Sequence, residues 1–112
     1  MNSSGDFAKI VLLLFAMADV ESKYEDNAPG LFYVDEVVSP HFTFAANRSY
    51  RFYQTDNTNN NHPLRFSTTP NGTHAGGVEY TDGVTINNTA GTAGAFTQID
   101  TTDSTPELYY YC

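Results

Sequence analysis

The chain has 112 residues, and its 5 Lys and Arg against 13 Asp and Glu give a formal net charge of −8. This length fits one domain, and the absence of a basic cluster argues against nucleic acid or an anionic membrane surface as a partner. Trp is absent, but eight Tyr and eight Phe supply the large apolar side chains that β-sheets favour. A lone Cys excludes a disulfide within the chain.

The first 30 residues form a separate segment in the sequence pattern. A continuous apolar run at 10–18 precedes an acidic stretch at 19–26. The run is too short for a transmembrane span, which needs about 20 apolar residues. Its length fits a signal-peptide core with a cleavage site at Ala16-Met17-Ala18. The alternative is an N-terminal helix or a strand docked on the domain. Ala28-Pro29-Gly30 then predicts a domain boundary, so that 1–30 is an N-terminal segment and acidic linker.

Residues 31–112 alternate short apolar runs with turn residues. Strands spaced about 8–12 residues apart predict an all-β fold, either an antiparallel sandwich or a barrel. Asp82-Gly83, between 78–81 and 84–87, is the strongest hairpin signal in the chain. Residues two apart share one face of a strand. On this spacing we expect six inward side chains, which are Phe42, Phe44, Tyr50, Phe52, Leu64 and Phe66.

Two residues with metal-binding chemistry come at the ends of predicted strands. His62 shares a face with Leu64 and Phe66, and Cys112 shares a face with Leu108 and Tyr110. One strand would therefore carry an imidazole inward at its start, and another a thiol inward at its end. Together they make half of a metal site. His41 and His74 lie near turns, where we expect them to be solvated. We assign the metal to His62 and Cys112 alone, with His74 as an extra ligand only a remote alternative.

Three segments carry a resemblance to a known family. Ser-Pro-His-Phe-Thr-Phe-Ala-Ala-Asn-Arg-Ser-Tyr-Arg-Phe (39–52), His-Pro-Leu-Arg-Phe-Ser (62–67) and Leu-Tyr-Tyr-Tyr-Cys (108–112) resemble the cupredoxin family. The wider pattern is similar to cupredoxin-like domains of marine phage and bacterial structural or surface proteins. The resemblance spans residues 31–112 and implies a Greek-key β-sandwich that binds a type 1 copper and transfers electrons. It also implies an extracellular, periplasmic or virion-associated location.

The same resemblance implies a set of copper ligands that this sequence matches only in part. His62 matches the family's first His and Cys112 matches its Cys. The second His and the frequent Met, which follow that Cys in the family, match nothing, and the final strand and ligand loop are missing. A blue-copper site needs two His and a Cys. We expect a C-terminally truncated gene product, partly because a terminal strand would leave an unpaired sheet edge. Loss of copper, or a strand supplied by another chain, are the alternatives.

Two functions therefore remain open. The first is a copper-binding, electron-transferring domain whose site is unfinished in this chain, with a redox partner. The second is a metal-free structural or binding module on a virion or cell surface, next to other chains of an assembly. We expect no enzyme, although His62 could act as a base for Cys112 if the two meet. His62 could also be an ordinary half-buried strand residue, and Cys112 a small buried apolar one.

Overall fold

The structure is a computed structural model that describes residues 7–12, 19–25, 31–34, 37–38, 42–70, 72–74 and 76–112. Before residue 44 it describes side chains only at Phe32 and Val34. Within these residues the chain forms strands and one short 3₁₀ turn, Asn57–Asn59. The strands are β1 (Phe7–Leu12), β2 (Asp19–Glu25), β3 (Leu31–Val34), β4 (Val37–Val38), β5 (Phe42–Phe44), β6 (Ser49–Tyr53), β7 (Arg65–Ser67), β8 (Glu79–Tyr80), β9 (Val84–Asn87), β10 (Phe96–Asp100) and β11 (Leu108–Tyr111).

The strands form two sheets, which agrees with the predicted all-β class. One sheet has the order β5-β1-β11-β7-β8, and the other has the order β4-β3-β2-β6-β10-β9. Most neighbouring strands are antiparallel, as predicted, but β1 runs parallel to β5 and β2 runs parallel to β6. No helix within the described residues is long and apolar enough to cross a membrane.

Aromatic side chains from both sheets meet in one core. Phe52 on β6 lies with its ring centroid 5.8 Å from that of Phe66 on β7 and 6.2 Å from that of Tyr110 on β11. Five of the six predicted inward residues are buried, and the sixth, Phe42, has no described side chain. The period-2 pattern therefore identified the core face of β6 and β7 correctly. The buried apolar cluster comprises Phe32, Val34, Phe44, Tyr50, Phe52, Leu64, Phe66, Ile99, Leu108, Tyr110 and Cys112.

The described parts of the N-terminal stretch, β1 and β2, belong to the sheets, and neither forms the helix that was one of the alternatives. β1 pairs with β11 and β5, whereas β2 pairs with β6 and β3. The docked-strand alternative therefore describes β1. The boundary expected at residue 30 falls between β2 and β3, which are hydrogen-bonded neighbours in one sheet. The signal-peptide interpretation stays a prediction, and residues 13–18 of that run lie outside the described residues.

Two further expectations about strand pairing are wrong. Asp82-Gly83 does turn the chain, with the Val84 N–H donating to the Thr81 oxygen at 3.1 Å. However, the flanking strands do not pair, because β8 joins β7 in one sheet and β9 joins β10 in the other. The last strand is also not an unpaired edge, since β11 lies between β1 and β7.

Candidate metal centre

Strand β11 carries Cys112 to one end of the core. Leu108, Tyr110 and Cys112 are all buried, with Cys112 only 7% exposed. β11 runs antiparallel to β7, and Tyr111 lies opposite Arg65. Extending this register by one residue places Cys112 opposite Leu64, two residues after His62. The sheet register therefore brings the thiol to the segment that carries the imidazole.

The loop before β7 fixes the backbone of His62. Asp56 caps the 3₁₀ turn, because its carboxylate accepts the Thr58 N–H at 3.0 Å. The His62 N–H then donates to the Asn59 oxygen at 2.7 Å. Asn61 adopts a φ of 66°, a left-handed conformation that Asn tolerates better than most residues. His62 thus sits at the exit of a compact, hydrogen-bonded loop.

Gln54, which is 2% exposed, holds this loop against the core. Its amide Nε2 donates to the His62 oxygen at 3.0 Å and to Asn59 Oδ1 at 3.3 Å, and its Oε1 accepts the Leu64 N–H at 2.9 Å. The Gln54 backbone is also paired, through Ala95 and Gly91. One buried amide therefore contacts the loop on both sides of Pro63. In the sequence, Gln54 stands next to the polar stretch 55–61, and no local pattern indicates that it is buried.

The His62 and Cys112 side chains meet. Cys112 Sγ lies 3.4 Å from His62 Nδ1. The sulfur is buried and the imidazole is half-buried. Three kinds of chemistry fit this contact: a thiol donating to a neutral imidazole, a thiolate beside an imidazolium, and a soft thiolate and an imidazole facing one metal ion.

His74 approaches the same residue from another side. Its Nε2 lies 3.4 Å from the main-chain oxygen of Cys112, and its ring meets that of Tyr111 edge-on at 6.4 Å. The Gly72 turn before it packs so closely on Tyr111 that a Cβ at Gly72 would overlap the ring. The His74 side chain is exposed, as expected. No sequence pattern indicates that His74 lies beside Cys112, because this contact depends on how the turn at Gly72 packs on Tyr111.

Tyr111 and Arg65 provide the nearby titratable groups. Burial raises the pKa of Tyr111, although a hydrogen bond with Thr73 opposes this. Burial also lowers the pKa of Arg65, while the Glu79 carboxylate, at 3.8 Å from the guanidinium Nε, acts in the opposite direction. The protonated Tyr111 is neutral and the Arg65 charge is offset by Glu79. This side of the site therefore adds little net charge.

The described residues contain no ready-made set of three or more His, Cys, Asp or Glu side chains around one point. His62 and Cys112 are together, His74 is close to the backbone of Cys112, and His41 lies outside the described residues. No family model matches the chain, and neither the curated proteins nor the solved structures give a match.

Proposed function

We propose that this chain is a cupredoxin-like, copper-binding domain that serves in electron transfer rather than in catalysis. The observation that carries the proposal is the 3.4 Å contact between Cys112 Sγ and His62 Nδ1. A thiolate and an imidazole are a donor pair suited to copper, and a thiolate in particular favours Cu(I).

The separation of the two donor atoms supports a shared ion. With metal–nitrogen and metal–sulfur bonds of about 2.0–2.3 Å, a 3.4 Å separation corresponds to a donor–metal–donor angle of about 100°. That angle is ordinary for trigonal and tetrahedral sites. An ion could therefore enter between the two atoms without moving β7 relative to β11.

The architecture supports the cupredoxin-like part of the proposal. We infer a Greek-key β-sandwich in which the imidazole precedes one strand and the thiol follows the neighbouring antiparallel strand. The shared aromatic core and the β7–β11 pairing fit that arrangement. The proposal also includes a location outside the cytoplasm or on a virion. The contacts of the domain would then be a redox partner or neighbouring chains of an assembly.

Anaerobic titration with Cu(I) against a chromogenic chelator tests copper binding. We expect one tightly bound ion and a thiolate-to-copper absorption in the near ultraviolet. Cys112→Ser should abolish both signals, and His62→Ala should weaken binding at least tenfold. His41→Ala, which removes an imidazole that we assign to no metal, is the matched control and should bind like the parent. Equal affinity of Cys112→Ser and the parent would refute the proposal.

A metal-free structural or binding module is the second candidate. It is favoured by the lack of a preassembled three-donor set in the described residues. The 3.4 Å contact would then be a hydrogen bond between the thiol and His62. In that case the folded parent would take up no more Cu(I) than Cys112→Ser. Cys112→Ser would also keep the fold, because a hydroxyl can donate to the same imidazole.

A further inference from the structure

We propose that β9 pairs with the β9 strand of a second copy of this chain and so joins two copies in a symmetric dimer. β9 is the last strand of its sheet, and among the described strands only β10 pairs with it. This edge contains neither His62 nor Cys112, so the inference does not depend on copper binding.

The side chain of Ile86 lies on the core side of β9 but is left uncovered. Ile86 stands opposite Thr97 on β10, so the two side chains share one face of the sheet. Thr97 is 1% exposed, and its hydroxyl donates to the Leu64 oxygen, next to β7 of the other sheet, at 3.0 Å. Ile86 is nevertheless 46% exposed. The other sheet ends in β8, a strand of two residues, and it therefore leaves part of β9 open.

The backbone of Ile86 points to the open side of β9. The Asp100 N–H donates to the Gly83 oxygen at 2.8 Å, so these opposite residues form a hydrogen-bonded pair. Such pairs alternate along an antiparallel ladder, and Val84 and Ile86 therefore direct their backbone groups away from β10. Val84 fits this alternation, because its N–H donates instead to the Thr81 oxygen. Ile86 is the residue of β9 that brings both an N–H and an oxygen to the open edge.

A two-fold axis through Ile86, perpendicular to the sheet, pairs these groups with a second copy. The Ile86 N–H of each copy donates to the Ile86 oxygen of the other, as in any hydrogen-bonded antiparallel pair. The two Ile86 side chains then lie next to each other and cover the apolar surface that each copy exposes. Thr85 of each copy faces Asn87 of the other on the outer face. Such an isologous contact closes after two copies.

The charge pattern favours a second copy as the occupant of this edge. The net charge of −8 makes two copies repel each other, but residues 83–99 contain no Asp, Glu, Lys or Arg. β9 also lacks the charged residues and the Pro that commonly keep exposed edge strands from pairing. A charged partner would gain nothing here, whereas an identical neutral strand matches the edge. The contact is far smaller than the about 1,600 Å² of a standard interface, so we expect a weak dimer that forms only at high protein concentration.

Sedimentation equilibrium of the metal-free chain tests the dimer, with a reductant present so that Cys112 forms no disulfide between copies. The weight-average mass should rise from 12.4 kDa toward twice that value between micromolar and near-millimolar concentration. Ile86→Lys places two like charges at the axis, and Ile86→Pro removes the N–H there without removing a bond to β10. Each should weaken association at least tenfold. Ser104→Lys adds the same charge at an exposed position between β10 and β11, and should dimerise at least as well as the parent.

Amide hydrogen exchange locates the contact. The Ile86 N–H should exchange several-fold more slowly in concentrated than in dilute samples, whereas the Thr85 N–H, which faces β10, should exchange equally in both. A parent chain that stays monomeric at near-millimolar concentration would overturn the inference. Dimers that persist unchanged in Ile86→Lys would place the contact elsewhere and overturn it as well. Exchange of the Ile86 N–H that does not depend on concentration would have the same consequence.

Discussion

Replacing Gln54 with leucine should destabilise the fold by about 3 kcal/mol, because three hydrogen bonds, two of them buried and one part-buried, are lost at about 1 kcal/mol each. The lost bonds are those to the His62 oxygen, the Asn59 side chain and the Leu64 N–H. Leucine has a similar volume, so little of this cost comes from a cavity. The Leu64 N–H and the His62 oxygen each lose a hydrogen-bond partner. If either group remains buried and cannot bond to water, its desolvation cost adds to the loss of stability.

Urea denaturation followed by tyrosine fluorescence measures this loss, since the chain has eight Tyr and no Trp. The midpoint should fall while the slope stays constant. Gln98→Leu is the matched control, because the Gln98 amide contacts Arg51 and Asp100 on the half-exposed outer face of β10. Water can replace those contacts, so we expect a loss below about 1 kcal/mol. Equal losses for the two variants would refute the role given to Gln54.

Copper affinity gives a second readout of Gln54. Because Gln54 bonds to the backbone oxygen of His62, Gln54→Leu should also weaken Cu(I) binding in a variant that is still folded. Gln98→Leu should leave the affinity unchanged. A folded Gln54→Leu protein with parental copper affinity would show that Gln54 stabilises the loop without positioning the imidazole.

Three further predictions concern the fold. Phe66→Ala should cost about 3–5 kcal/mol in urea melts, whereas Ile86→Ala, at a residue that is 46% exposed, should cost below about 1 kcal/mol; similar losses would place Phe66 outside the core. A chain beginning at Asn27 lacks β1 and β2, so its β-type circular dichroism should collapse, and a parental spectrum would contradict their pairing. The pKa of Tyr111 is higher in the folded than in the unfolded chain, so the free energy of unfolding should fall as the pH rises above about 10. In Tyr111→Phe the free energy of unfolding should fall less steeply with pH than in the parent. The same pH dependence in both proteins would contradict this.

The alternation of apolar residues predicted which face of each strand is buried, because that face depends only on the two-residue period of a strand. Tyr50 and Phe52 on β6, and Leu64 and Phe66 around the start of β7, are buried as their alternation indicates. Pairing partners were less predictable. Asp82-Gly83 makes a turn, but the strands on its two sides join different sheets. A turn signal predicts a local bend of the backbone, but it does not determine which strands hydrogen-bond to each other.

The candidate site was likewise predictable only in part. The inward positions of His62 and Cys112 follow from their strands, and the β7–β11 register brings the two side chains together. The contributions of Gln54 and His74 were missed. Gln54 lies in the sequence among polar residues typical of a loop, yet it is buried by the segment that folds over it. His74 reaches Cys112 only through the packing of its turn on Tyr111. The Gln54 side chain reaches partners 5, 8 and 10 residues away, and His74 reaches a partner 38 residues away, and no short motif predicts either set of contacts.

Diffraction at the copper absorption edge, from crystals of the chain loaded with one equivalent of Cu(I), tests the central claim most directly. We predict a single anomalous peak at about 2.0–2.3 Å from both Cys112 Sγ and His62 Nδ1. A copper bound elsewhere would contradict the proposed site. The site would also be contradicted if crystals of the copper-loaded protein showed Cys112 Sγ and His62 Nδ1 still in contact at 3.4 Å, with no metal bound to either atom.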